Sequence, residues 1–247
     1  MSINGPEEML GMRAAGSVVR LVLDAMKGAV RPGVTTAELD DVGARMMQEQ
    51  GARSAPAMVY RFPGENCISV NEEAVHGIPG KRALQAGDLV KLDVTIEKNG
   101  YMADAAITVP VGKVSGERQR LADCAERAFK KAMLVARAGF RVSEIGRLVE
   151  REVRRSGFAV IRDLCGHGIG RTIHEAPSVP NYPAPHANQI LTEGLVITVE
   201  PIIAAGSGET VVAEDGWTVV TVDRRPAAHY EHTLVITKGA PILLTAA

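Results

Sequence analysis

Between residues 7 and 30, Met9, Met12, Gly16, Val19, Leu23, Met26 and Val30 recur at steps of three and four. That spacing predicts an amphipathic helix, closed by Arg31-Pro32-Gly33. Thr35-Thr-Ala-Glu38 has the spacing of a capping box, so a second helix is expected through Leu39, Val42 and Met46 to Gly51. From residue 56 to 111 the pattern turns strand-like. Residues 89–96 alternate, with Val90, Leu92, Val94 and Ile96 on one face and Lys91, Asp93 and Thr95 on the other. This is the pattern of a half-buried strand. Asn99-Gly100 then predicts a tight hairpin, because both turn positions favour positive φ. In that register Lys98 faces Tyr101, and Asp104 lies opposite Thr95, diagonal to Asp93 on the same face. Diagonal neighbours stand roughly 7–8 Å apart, and two carboxylates so placed repel unless a cation lies between them. Taken alone, this hairpin is better accounted for by a solvated polar face.

The pattern then recurs. Residues 115–138 predict a long helix ended by Gly139, and Val142-Ser143-Glu144 opens a shorter one ending at Gly157. Gly33 and Gly139 are 106 positions apart, as are Gly51 and Gly157. Leu84-x-x-Gly87-x-x-x-x-x-Asp93 is matched by Leu191-x-x-Gly194-x-x-x-x-x-Glu200 at an offset of 107. The expectation is an α+β fold built from two helix–helix–strand halves, about 7–111 and 115–237, sharing one antiparallel sheet. With no linker-like or low-complexity tract, residues 1–247 are expected to form a single domain. The offset also places Glu200 at the strand position equivalent to Asp93.

Composition narrows the options. Hydrophobic residues at 46% and charged residues at 23% are ordinary for a globular protein. A net charge of −1 gives no electrostatic reason to expect nucleic acid or an anionic membrane surface. No apolar run reaches membrane-spanning length, and the first residues lack the pattern of a secretory signal. Cys67, Cys124 and Cys165 are odd in number and unpaired in spacing, which points to a reduced, cytoplasmic setting.

Residues 195–200 and 230–237 are two further alternating strands, which carry Glu200 and Glu231. Between the acidic pairs runs Cys165-Gly-His167-Gly-Ile-Gly-Arg171-Thr-Ile-His174, whose glycines allow close backbone approach to a ligand. It lacks the spacing of a phosphate loop. His76 has a similar setting, whereas His186, His229 and His232 suggest only structural roles. Four carboxylates with one or two imidazoles suit Mn²⁺, Fe²⁺, Co²⁺ or Zn²⁺ rather than a cysteine-type structural zinc. Four carboxylates exceed the needs of one ion, so two divalent ions are the natural stoichiometry, and paired ions are a known device for activating water.

These residues also carry a resemblance. The ordered set Phe62-Pro63-x-x-x-Cys67-Ile-Ser-x-Asn71, His76-Gly-Ile-Pro79, Asp93 to Asp104, Cys165-Gly-His167-Gly-Ile-Gly-Arg171-x-x-His174, Thr198-Val-Glu200-Pro201, Asp215-Gly-Trp217-Thr and Tyr230-Glu231-His-Thr233 resembles the type I methionine aminopeptidases of the pita-bread fold. The likeness spans about residues 7–245. It implies removal of initiator methionine from peptides and nascent chains; a monomer is the default expectation, and the ribosome is a candidate further partner. By motif position it implies Asp93, Asp104, His167, Glu200 and Glu231 as metal ligands, with Asp104 and Glu231 bridging. It implies that His76 and His174 contact the scissile peptide and that Glu200 also accepts a proton. The 26 residues from His174 to Glu200 leave no room for the type II insertion, and the short lead into the first helix matches the bacterial form. The family lines its methionine pocket with aromatics. Phe62 and Trp217 fit beside Cys67, but Val59 and Ile173 fall where Tyr and Phe are expected, which implies either compensated drift or a wider pocket. An Xaa-Pro peptidase of the same fold and a non-catalytic peptide-binding module are the competing expectations.

Overall fold

The computed structural model describes residues 1–246. Helix α1 (Pro6–Ala29) and helix α2 (Thr36–Glu49) lie where the apolar spacing predicts them. The capping box of α2 is closed in both directions. Thr35 Oγ1 accepts the Glu38 amide at 3.1 Å, and Glu38 Oε2 accepts the Thr35 amide at 2.8 Å.

Residues 55–60 depart from the strand expected there and form helix α3 (Ala55–Tyr60). Ser54 Oγ accepts the Ala57 amide at 3.2 Å, and Pro56 sits in the first turn, where a missing N–H costs nothing. Helix α4 (Gly116–Ala132) stops short of residue 138. The chain leaves the helix so that the Ala138 and Gly139 amides can donate to the Thr237 and Leu191 carbonyls, at 2.8 and 2.9 Å. Helix α5 (Val142–Arg155) follows as expected, opened by Glu144 accepting the Arg141 amide.

The internal repeat is visible in matching hydrogen bonds. Gly33 donates to the Leu84 carbonyl at 2.8 Å, and Gly139 donates to that of Leu191 at 2.9 Å. Leu84 returns a bond to Val34, and Leu191 returns one to Phe140, both at 2.8 Å. The bridges Thr35↔Ala83 and Arg141↔Ile190 are a further equivalent pair. Gly33, Gly139, Gly51, Gly157, Gly87 and Gly194 all have positive φ, so each repeated glycine answers a left-handed turn that other residues resist.

The main sheet runs Arg53–Ser54, Leu89–Lys98, Tyr101–Pro110, Glu231–Val235, Val196–Val199, Cys165–Gly168 and Glu175–Pro180, with every pairing antiparallel. Cys67–Val70 adds to Leu89–Lys98. Ile242–Leu243 adds to Glu231–Val235, so the strand carrying Glu231 is not the last. One apolar cluster lies under α1 and α2, and a second lies under α4 and α5. The halves meet where Tyr101–Pro110 pairs with Glu231–Val235.

Two three-stranded sheets complete the fold: Glu73–Val75 with Thr210–Val212 and Val219–Thr221, and Ala159–Val160 with Ile202–Ala204 and Ala227–His229. With α1 on one face and these strands near the other, Leu89–Lys98 is buried on both faces instead of one. Even Lys91 is 1% exposed; its ammonium donates to the Asn71 carbonyl at 2.8 Å, and burial lowers its pKa to about 7. No helix among the described residues is long and apolar enough to cross a membrane.

Candidate metal centre and substrate cavity

The hairpin forms in the expected register. Asn99 and Gly100 have φ of 52° and 80°, Lys98 pairs with Tyr101, and Thr95 pairs with Asp104. Asp93 pairs with Ala106, whose small side chain leaves that face open. Across the seam the Asp104 amide donates to Thr233 Oγ1 at 2.9 Å, and that hydroxyl donates back to the Asp104 carbonyl at 2.8 Å. A carboxylate from the first half is thereby fixed against the strand that carries Glu231.

The glycines of the 165–170 segment permit a close approach. A Cβ on Gly166 would stand 2.6 Å from the Thr198 carbonyl oxygen, so only glycine lets this strand lie against its neighbour. His167 is thereby delivered into the cluster. Its Nδ1 donates to the Gly168 carbonyl at 2.9 Å. That leaves the Nε2 lone pair 3.9 Å from Asp104 Oδ2 and 3.7 Å from Glu200 Oε1. Thr198 Oγ1 accepts the His167 amide and donates to Glu200 Oε1 at 3.0 Å.

Asp93, Asp104, His167, Glu200 and Glu231 all line one cavity of about 860 Å³. Burial, reinforced by mutual repulsion, holds the carboxyls of Asp104 and Glu200 well above the usual carboxylate range and raises Glu231 to about 8. Burial and the neighbouring His174 lower His167 to about 4. Asp104 Oδ1 and Glu231 Oε1 are buried without a hydrogen-bond partner. Such a set is unfavourable as bare charges in a low dielectric. It suits a divalent cation, which would meet the orphaned oxygens and the unprotonated imidazole together.

Part of the remaining cavity wall is apolar and aromatic. Phe62 and Trp217 pack edge to face at 5.3 Å. Asp215 accepts the Trp217 and Thr218 amides, each at 2.8 Å, and so fixes the turn that carries the indole. Cys67, His76, Ile173 and His174 line the same cavity. Burial lowers the pKa of both His76 and His174 and raises that of the Cys67 thiol. Val59 does not line it and is 43% exposed. Its neighbour Tyr60 does, because one step around α3 turns a side chain by roughly 100°.

Tyr60 and His229 are the site residues that sequence reasoning passed over. Tyr60 Oη lies 2.6 Å from His174 Nδ1. Ser54-Ala55-Pro56, a cap followed by a first-turn proline, was the available signal that residues 55–60 are helical. His229 is 2% exposed, and its Nε2 lies 3.4 Å from Glu231 Oε2 and 3.6 Å from Glu200 Oε2. No local motif marks it.

Comparison with known proteins bears on the family and the fold. The family model described as metallopeptidase family M24 matches residues 11–238. The chain is 44% identical over 247 residues to methionine aminopeptidase 2 of Bacillus subtilis, covering 99% of each. It is 40% identical over 240 residues to methionine aminopeptidase 1 of the same organism, covering 97% of each. The solved methionine aminopeptidase of Thermotoga maritima superposes with a TM-score of 0.96 at 34% identity over the whole of both chains. Prolidase from Pyrococcus furiosus shares the fold alone, with a TM-score of 0.80 at 22% identity over 99% of this chain and 65% of its own. The α+β pita-bread fold expected from the sequence is the fold observed, and the chain belongs to metallopeptidase family M24.

Proposed function

We propose that the chain removes N-terminal methionine from peptides and nascent proteins with two divalent cations bound among Asp93, Asp104, His167, Glu200 and Glu231. The observation that carries this is the set of four carboxylates, three of them buried, that line one cavity together with the unprotonated His167 imidazole, Phe62 and Trp217. The bound cations would supply Lewis acidity and make water a competent nucleophile near neutral pH.

The remaining chemistry belongs to the side chains. Glu200, held by Thr198, accepts the proton of the attacking water and returns it to the leaving amine. His174 faces the same space. With Tyr60 Oη donating to Nδ1, its proton is kept on Nε2, where it can donate to the developing oxyanion. His76 lines the same cavity and is a second contact for the scissile peptide. Phe62, Trp217, Cys67 and Ile173 bound the space for the first side chain. Edge and face contacts of a thioether with aromatics contribute roughly 0.3–1.5 kcal/mol each. Tyr60 restores part of the aromatic surface missing at Val59, which favours an ordinary preference for methionine over a widened pocket.

Hydrolysis of Met-Ala-Ser by EDTA-stripped protein, before and after Co²⁺ or Mn²⁺ is added, tests the reading. Release of free methionine only with metal is the expected result. No release with any divalent metal would overturn it in favour of a peptide-binding role. Faster release from Xaa-Pro substrates would redirect it to the other peptidases of the fold.

A further inference from the structure

We infer that His229 is a direct ligand of a divalent cation, its Nε2 completing a group with Glu200 and Glu231. This rests on the metallopeptidase reading above and adds a sixth donor, and a second imidazole, to the five ligands proposed there.

The first argument is that His229 has no other occupation. It is 2% exposed, neither ring nitrogen makes a well-aligned hydrogen bond among the described residues, and Nε2 meets the carboxylates of Glu231 and Glu200 at 3.4 and 3.6 Å. A structural histidine at that depth is normally satisfied, because a buried unpaired polar group is costly. Its backbone is held firmly: the His229 amide donates to Thr108 Oγ1, and that hydroxyl donates to the His229 carbonyl, both at 2.8 Å. The main chain that carries the ring is therefore fixed.

The second argument is geometric. His229 Nε2 lies 3.4 and 3.6 Å from its two nearest carboxylate oxygens, whereas His167 Nε2 lies 3.7 and 3.9 Å from its own. Among the described residues, two groups of donor atoms are compact enough to hold an ion: Asp104, His167 and Glu231, and Glu200, His229 and Glu231. Each has one imidazole, and Glu231 is common to both.

The third argument comes from the internal repeat. The offset that carries Asp93 onto Glu200 carries Thr95 onto Ile202. Thr95 pairs with Asp104, and Ile202 pairs with His229. Each half thus presents a carboxylate and, two residues on and across the ladder, a second donor. His229 occupies in the second half the place that Asp104 occupies in the first.

Imidazole suits Fe²⁺, Co²⁺ and Zn²⁺ better than Mn²⁺, which prefers oxygen. A second imidazole therefore biases the centre toward the former group. Calorimetric titration of the metal-free full-length protein with Co²⁺ and Mn²⁺, in wild type and His229→Gln, is the test. We expect the variant to lose at least tenfold in affinity for one Co²⁺ and less than threefold for Mn²⁺. Both Co²⁺ constants remaining within twofold of wild type would overturn the assignment.

Pulsed EPR of the metal-loaded protein with ¹⁵N-labelled histidine gives a second readout, which the wild type alone can answer if the variant does not fold. Two directly coordinated imidazole nitrogens support the inference, and one overturns it while leaving the metallopeptidase reading intact. Absence of any divalent-metal binding would overturn both.

Discussion

The two halves of the molecule share a frame and differ in what they hang on it. Both begin with a long helix, a left-handed glycine and a capped shorter helix, and both return through the same pair of hydrogen bonds, Gly33 with Leu84 and Gly139 with Leu191. They then diverge in how the two functional strands are joined. In the first half Asn99 and Gly100 suffice, and Asp93 and Asp104 lie within one hairpin. In the second half residues 200–230 intervene before the chain returns at Glu231. That excursion carries Ile202, Trp217 and His229 into the cavity wall. A rigid hairpin serves for holding charge; a long excursion adds a pocket and a second kind of donor. The lesson is that duplication preserved the backbone geometry while leaving the connection free to acquire substrate contacts.

The sharpest way to break this comparison is at the pseudo-equivalent acids. If Asp93 only holds an ion while Glu200 also moves a proton, their amide variants must differ in kind. Glu200→Gln should lower kcat by roughly 10²–10⁴, the usual range for removing a general base, with metal affinity reduced as well. Asp93→Asn should restore much of its activity when divalent metal is raised, and Glu200→Gln should not. Activity measured against metal concentration for both variants checks this; equal rescue would remove the proposed division of roles.

A second effect concerns the seam. Burial first, then the neighbouring acids, lifts Glu231 to about 8 in the metal-free protein. The folded state therefore holds a proton that the unfolded state releases above its ordinary pKa of 4.5. Stability from this group is fully present below 4.5 and is lost as pH rises through about 8. Metal-free Glu231→Gln should accordingly melt above metal-free wild type, by a margin that widens from pH 5.5 to pH 8.5. Taking the difference cancels the opposing contribution of Lys91. Adding metal should reverse the order, since the cation replaces the proton. A margin that does not change with pH would mean that Glu231 is ionised throughout.

Much of this architecture was legible in the chain because its signals are local. The Asn99-Gly100 turn set the register of Asp93 and Asp104, and the glycine offsets exposed the repeat. What escaped depended on contacts distant in sequence. Leu89–Lys98 looked half-buried because alternation reports one covered face, and only the folded chain brings further strands near the other. Val59 is the exception, since the cap and first-turn proline of Ser54–Pro56 are local signals of the helix Ala55–Tyr60, which turns Val59 outward and brings Tyr60 in. His229 gave no local signal at all, since its meaning comes from Glu200 and Glu231 across the sheets.

Tyr60 offers a third and smaller effect. Its hydroxyl, 2.6 Å from His174 Nδ1, positions a ring that the second half supplies. Tyr60→Phe should lower kcat about tenfold, the equivalent of roughly 1.4 kcal/mol, with KM for Met-Ala-Ser nearly unchanged. The ¹⁵N shifts of His174 in the metal-free protein should show the Nε2-protonated tautomer giving way to a mixture. A rise in KM at constant kcat would make Tyr60 part of the methionine pocket instead.

The smallest expected effect tests the frame itself. Gly33 and Gly139 have φ of 89° and 92°, and a Cβ at either would meet nothing within 4 Å. Substitution therefore probes backbone conformation with no steric clash mixed in. An L-residue forced into the left-handed region costs roughly 1–2 kcal/mol, so Gly33→Ala and Gly139→Ala should each destabilise by about that amount. Neither glycine lines the cavity, so kcat and KM should hold. Chemical denaturation of the two variants and their double mutant measures the effect, and additivity is expected because the turns lie in different halves. Equal, additive losses would show that the halves carry their repeated turns independently. A loss at Gly139 several-fold larger would mean that the second half, burdened with the long excursion, folds with less to spare than the hairpin half.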